Sequence, residues 1–98
     1  MEDAQIIDLY WLRNEQAIAE TDRKYGGFCH NIAMNILRSF SDSEECVSDT
    51  YHRAWDTMPP QKPGSLRAYL GRIVRNLSIS RYRQLHAQKR FSGAEILL

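Results

Sequence analysis

The stretch 41-SDSEECVSDTYHRAWDTMPPQKPGSLRAYLGRIVRNLSISRYR-83 decides the fold, because it holds two helical patterns separated by a proline-rich break. In the first pattern Val47, Tyr51, Ala54, Trp55 and Met58 share one helix face, while Glu45, Ser48, Asp49, His52 and Asp56 share the opposite one. Ser41 and Glu44 have the spacing of an S-x-x-E capping box, and Asp42, Glu44 and Glu45 suit the positive end of the helix dipole. Pro59 and Pro60 stop this helix, since proline lacks the amide that would continue it. PPQKPGS (59–65) is then a stiff connection, with Ser65 placed to cap the next helix. In that helix Leu66, Tyr69, Leu70, Ile73, Val74 and Leu77 form the inward stripe. Arg67, Arg72, Arg75, Asn76, Ser80 and Arg83 face outward.

Upstream, a short helix is expected over about residues 3–13, with Ile6, Ile7, Leu9 and Tyr10 as its apolar surface. Asn14 can cap a second helix, whose large apolar residues Ile18, Tyr25, Phe28, Ile32 and Ile36 repeat at helical spacing. Gly26 and Gly27 interrupt that stripe, and each glycine costs about 1 kcal/mol of helix propensity, so a kink or break is expected there. The last helix is expected to fray near Lys89–Arg90, leaving FSGAEILL as a tail or the start of a linker. No hairpin signal or strict alternation points to strands. The reading is an all-α compact bundle of about four helices, the last one basic.

Ninety-eight residues make one domain, and the hydrophobic fraction of 43% with 26% charged residues is that of an ordinary globular chain. No apolar run reaches the ~20 residues that span a bilayer, and the opening MEDAQ lacks the features of a signal peptide, so a cytoplasmic location is expected. The net charge of +1 conceals a division. Residues 1–56 carry five basic and eleven acidic side chains. Residues 57–94 carry eight basic ones and no acid. Such polarity indicates two faces with different partners, the basic one meeting a polyanion.

Cys29, His30, Cys46 and His52 include metal-ligating types, but no CxxC pair organises them, and buried free thiols are the simpler reading. No metal and no cofactor are expected. There is no nucleophile–base pair at an interpretable spacing and no glycine-rich phosphate loop, so an enzyme is not expected.

SDSEECVSDTYHRAW (41–55) resembles region 2.2 of the extracytoplasmic-function (ECF) sigma factors of bacterial RNA polymerase, usually close to D-A-E-D-L-V-Q-E-T-F-L-R-x-W. SLRAYLGRIVRNLSISRYR (65–83) resembles regions 2.3 and 2.4, usually F-R-A-W-L-x-x-I-A-R-N-x-x-x-D-x-x-R. NEQAIAETDRKYGGFCHNIAMNIL (14–37) is similar to the family's first conserved segment, so the likeness runs over roughly residues 8–90 without a gap.

The resemblance implies a transcription initiation factor domain, sigma region two, over residues 1–90, with 91–98 as tail or linker. A second, −35-reading domain is not represented in this chain. By position in the family, Glu45, Ser48, Asp49, His52 and Arg53 match the surface that docks on the β′ clamp coiled coil of core RNA polymerase. The loop and basic helix match the part that recognises and melts the promoter −10 element, preferentially holding the non-template strand. There Pro60, Gln61, Lys62 and Ser65 would frame a base pocket, Asn76 would read a base edge, and Arg72, Arg75 and Arg83 would hold phosphates.

Ser48 replaces the family's usual Gln, and Ser80 replaces a common acid beside Asn76. Tyr69 stands at the family's Trp position, where helical spacing favours core over a stacking platform. An anti-sigma factor is a further candidate partner, and no membrane partner is expected. Two other readings stay open: a helix-turn-helix repressor of duplex DNA, and a helical regulator-binding domain that never touches nucleic acid.

Overall fold

Local sequence starts and stops account for four helices in chain order, α1 (Asp3–Trp11), α2 (Gln16–Leu37), α3 (Phe40–Thr57) and α4 (Leu66–Leu97). The computed structural model describes the backbone of residues 1–97 and the side chains of residues 1–87. Among the described residues there is no strand, as the sequence patterning requires.

Helix α1 lies on α2, burying Ile6, Ile7 and Tyr10. Two polar ties fix its pose. The Tyr10 hydroxyl meets the Thr21 hydroxyl at 2.6 Å within the core. At its other end Asp3 accepts bonds from Lys24 Nζ (2.7 Å) and the Tyr25 hydroxyl (2.8 Å). The helix closes at Trp11, two residues before the expected end, where Arg13 turns into the left-handed region. The N-cap position of α2 is Glu15, one residue after the expected Asn14, whose Oδ1 nevertheless accepts the Gln16 amide at 2.9 Å.

Helix α2 departs from expectation twice. Its fully buried line is Ala17, Thr21, Cys29 and Ala33, a ridge of small side chains at multiples of four. The large residues Ile18, Phe28 and Ile32 flank that ridge, Tyr25 stands within its four-residue repeat, and all four are half-buried. Small side chains in the middle let two neighbours approach closely, so that i±4 ridges can interlock. Helix α2 also runs unbroken through Gly26 and Gly27. A Cβ at Gly26 would sit 2.7 Å from Asp22 Oδ1, which accepts a 2.7 Å bond from the Tyr51 hydroxyl of α3. The glycine thus makes room for a tie between helices, and tertiary packing outweighs its low helix propensity.

Helix α3 starts two residues earlier than the expected capping box. Ser39 is the N-cap, its Oγ accepting the Asp42 amide at 3.3 Å, so Ser41 lies inside the first turn and Glu44 has no capping role. The exposed Phe40 hid this start, because an apolar first residue on the solvent side breaks no pattern. The expected inner face is otherwise present: Val47, Tyr51, Ala54 and Met58 are buried, joined by Ser43, Cys46 and Thr50. Met58 ends the helix ahead of the two prolines.

Ser65 caps α4 by accepting the Ala68 amide at 3.2 Å. Leu66, Leu70, Val74 and Ser78 form its fully buried line. Gly71 passes so close to α2 that an added Cβ would lie 3.2 Å from the Phe28 ring. Beyond the expected fraying point at Lys89–Arg90, the helical backbone continues to Leu97, since FSGAEIL contains only one strong helix breaker, Gly93. The side chains of that segment lie outside the described residues. No described helix is long and apolar enough to cross a membrane.

Burial pushes the Cys29 thiol up to about 11 and raises Cys46 as well. Because the thiolate is the reactive form, neither cysteine should react with a thiol reagent at neutral pH while the chain is folded. Ellman titration is expected to show both reacting at least about 100-fold faster in denaturant. Rapid labelling of either one in the native protein would contradict this packing.

Candidate functional site

The loop between α3 and α4 is shaped at both ends by short local bonds. The Gln61 amide donates to the Thr57 carbonyl at 2.8 Å, folding the chain back as α3 ends. The Thr57 and Tyr69 hydroxyls are hydrogen-bonded to each other, joining the end of α3 to the first turns of α4. Arg13, from the α1–α2 corner, donates through Nη1 to the carbonyls of Trp55 (2.8 Å) and Met58 (2.9 Å). Its guanidinium lies 3.8 Å from the centroid of the Trp55 ring. Trp11 Nε1 donates to the Gln61 carbonyl at 3.0 Å, and Lys62 Nζ lies 5.6 Å over the Trp11 ring.

This geometry creates a pocket of about 360 Å³ lined by Arg53, Thr57, Gln61, Tyr69, Arg72, Ile73 and Asn76. Three of the expected DNA-facing residues, Gln61, Arg72 and Asn76, therefore come together. Tyr69 is half-buried and also lines the pocket, with its hydroxyl held by Thr57. Arg53, expected on the polymerase-facing surface, borders this pocket. The other loop residues are outside it: Pro60 is exposed, Lys62 turns to Trp11, and Ser65 is used as a cap. Arg75 and Arg83 are exposed along α4 without a described carboxylate partner. Ser80 borders a different cleft, with Glu45, Asp49 and Arg81.

Along another edge of α3 lies a larger groove of about 790 Å³ between α2 and α3. Ile18, Val47, Tyr51 and Trp55 give it an apolar lining, and Glu15, Asp22 and Glu44 add acid groups. Ser48 and His52 line it too, whereas Asp49 and Glu45 are exposed beside it and border the Ser80 cleft. Glu44, released from the capping role, thus contributes its charge to this acidic groove. Among the described residues no three His, Cys, Asp or Glu side chains are grouped as a metal's ligands would be.

Arg81, one of the eight cations of residues 57–94, turns away from the outward-facing arginines. Its Nη2 lies 2.9 Å from Asp42 Oδ1 and 3.4 Å from Glu45 Oε2, tying α4 to the start of α3. Helical spacing explains this, because position 81 falls on the same side as the buried Leu70, Val74 and Ser78. The contacts of Arg13, Trp11 and Arg81 join residues 36 to 50 positions apart, so no local pattern announces them.

A model of the Sigma-70 region 2 family matches residues 22–88. No curated protein and no solved structure matches the chain.

The Arg81 guanidinium holds the Asp42 carboxyl below its ordinary value, with its hydrogen bond the largest cause. A depressed carboxylate contributes stability above its unfolded pKa and loses it as pH falls through the folded value. Arg81→Gln should therefore be less stable than the parent at neutral pH, by an amount that shrinks on acidification below the usual carboxylate range. Denaturant midpoints measured between about pH 7 and pH 2 check this. A difference that stays constant with pH would contradict the ion pair.

Proposed function

Because the chain belongs to the Sigma-70 region 2 family, we propose that its acidic and basic surfaces divide one task of transcription initiation between them. Domains of this family contact core RNA polymerase and promoter DNA. The α2–α3 groove with the exposed face of α3 docks on the β′ clamp coiled coil, and the α3–α4 loop with the outer face of α4 holds the melted −10 element. The ECF type is part of the same proposal and rests on the two quoted motifs.

The observation that carries the DNA half is the meeting of Gln61, Arg72 and Asn76 around one pocket. Its volume of about 360 Å³ is at the small end of ligand sites. An asparagine amide offers a donor and an acceptor together, which suits the Watson–Crick edge of an unpaired base. Arg72 beside it, with Arg75 and Arg83 further along, holds phosphates and positions the strand without reading it. A pocket that accepts a base only after unstacking favours the open form of the promoter, because the paired form must first pay a few kcal/mol to present that base.

On the polymerase side, an apolar floor with Glu15, Asp22 and Glu44 around it complements an amphipathic basic helix. Charge complementarity sets encounter rate and register, and the apolar contacts hold the complex. A helix-turn-helix repressor fits less well. The connection between α3 and α4 runs from Met58 to Ser65 and contains three prolines, where that motif uses a turn of three or four residues. Regulation by an anti-sigma factor stays compatible with the exposed groove.

With core polymerase present, Asn76→Ala should lower discrimination between −10-like and scrambled single strands by about 5- to 100-fold, the range of one lost bidentate base contact. Affinity for the scrambled strand should hardly change. Arg75→Ala should instead weaken all sequences alike and reduce the salt slope by about one. Fluorescence anisotropy over a salt series measures both. Unchanged discrimination in a folded Asn76→Ala protein would remove the base-reading role.

A further inference from the structure

Trp11 and Arg13 precede the matched span of residues 22–88, and no function described so far involves α1. Their contacts nevertheless converge on one object, the start of the α3–α4 loop. Arg13 holds two consecutive points of the descending chain, the carbonyls of Trp55 and Met58, from a single nitrogen at 2.8 and 2.9 Å. Trp11 holds the third, the Gln61 carbonyl, at 3.0 Å. Gln61 is itself a wall of the pocket that contains Asn76.

These are not incidental surface contacts. Arg13 has φ 56°, a conformation that residues other than glycine seldom hold. From that turn the arginine, still exposed, reaches across the end of α3. Trp11 is 42% exposed, so burial is not what keeps this large side chain in place. Its indole is pinned by the bond to the loop, with Lys62 over its face. Helix α1 is in turn anchored on α2 by Tyr10 and Asp3. The corner is thus a rigid bracket whose free end grips the loop.

We infer that Trp11 and Arg13 are positioning residues that fix the 58–61 segment and so set the base selectivity of the pocket. The bracket is a property of this fold, while its consequence for selectivity rests on the base-pocket reading above. A hydrogen-bonded bracket of this kind sharpens selectivity because a loop held within a few tenths of an ångström penalises the wrong base, whereas a loose loop adapts to it.

Two readouts on the full chain separate the bracket from the reading it rests on. Trp11→Phe keeps an aromatic ring and removes only the indole donor. Arg13→Met keeps an unbranched stem near Trp55 and removes the Nη1 donor that serves both carbonyls. Hydrogen exchange of the Gln61 amide, which donates to the Thr57 carbonyl, reports on the loop without any DNA. Exchange there should quicken about tenfold in either variant, with core amides such as Leu70 unchanged. With core polymerase present, discrimination between −10-like and scrambled strands should fall about tenfold, and affinity for the scrambled strand should hold.

Unchanged Gln61 exchange overturns the bracket whatever the DNA does. Faster exchange with full discrimination overturns its role in selectivity. If the parent protein itself shows no discrimination, the base-pocket reading fails and the selectivity claim falls with it, while the exchange data still decide the bracket. Parallel loss of core protection would mean that the two residues serve only global stability, which also overturns the inference.

Discussion

The small-residue ridge of α2 is the constraint on which the other elements depend. Ala17, Thr21, Cys29 and Ala33 have no exposed surface, and α1, α3 and α4 all pack against the helix that carries them. A larger side chain at any of these four positions would push α2 away from the helices packed against it, because close-packed interiors absorb extra volume only through strain or backbone shifts. The glycines repeat the same theme at two crossings. Gly26 leaves space for the Asp22–Tyr51 bond, and Gly71 lets α4 lie against Phe28. Close helix approach at these crossings, together with large apolar residues such as Tyr10, Met58, Leu66 and Leu70 from the other elements, gives this short chain its core.

Once the three long helices are locked together, the charge division along the sequence becomes a division in space. Helix α3 carries acids on its exposed face and belongs to the first, acidic segment. Helix α4 carries exposed arginines and belongs to the second. Where the segments meet, Arg81 joins Asp42 and Glu45, so the strongest local attraction between them is used to hold the helices together. The remaining exposed arginines of α4 stay available to a polyanion. The described domain thus presents one acidic and one basic surface.

The elements with strong periodicity were legible from the residues alone. The inner and outer faces of α3 and α4, the proline stop and the Ser65 cap all follow from local patterns. Gln61, Arg72 and Asn76 were also singled out, and the fold puts them at one pocket. What escaped the sequence has three physical causes. Two serines compete to start α3, and only the fold selects Ser39 over Ser41. Small polar residues such as Thr21, Ser43, Thr50 and Ser78 are fully buried, although their chemistry does not call for it. Finally, Arg13 and Arg81 take their partners from distant elements, so counting charges along the chain does not place them.

In the proposed division of labour, one exposed helix face binds polymerase while the neighbouring loop and helix serve DNA. The most direct test is the affinity of the purified chain for core RNA polymerase, or for its isolated β′ clamp coiled coil, set beside that of Asp49→Lys. Saturable binding is expected for the parent, and the charge reversal should weaken it by about 30-fold or more, the scale of a broken interfacial charge contact. A folded chain that does not bind, or a variant that binds as tightly as the parent, would contradict that division.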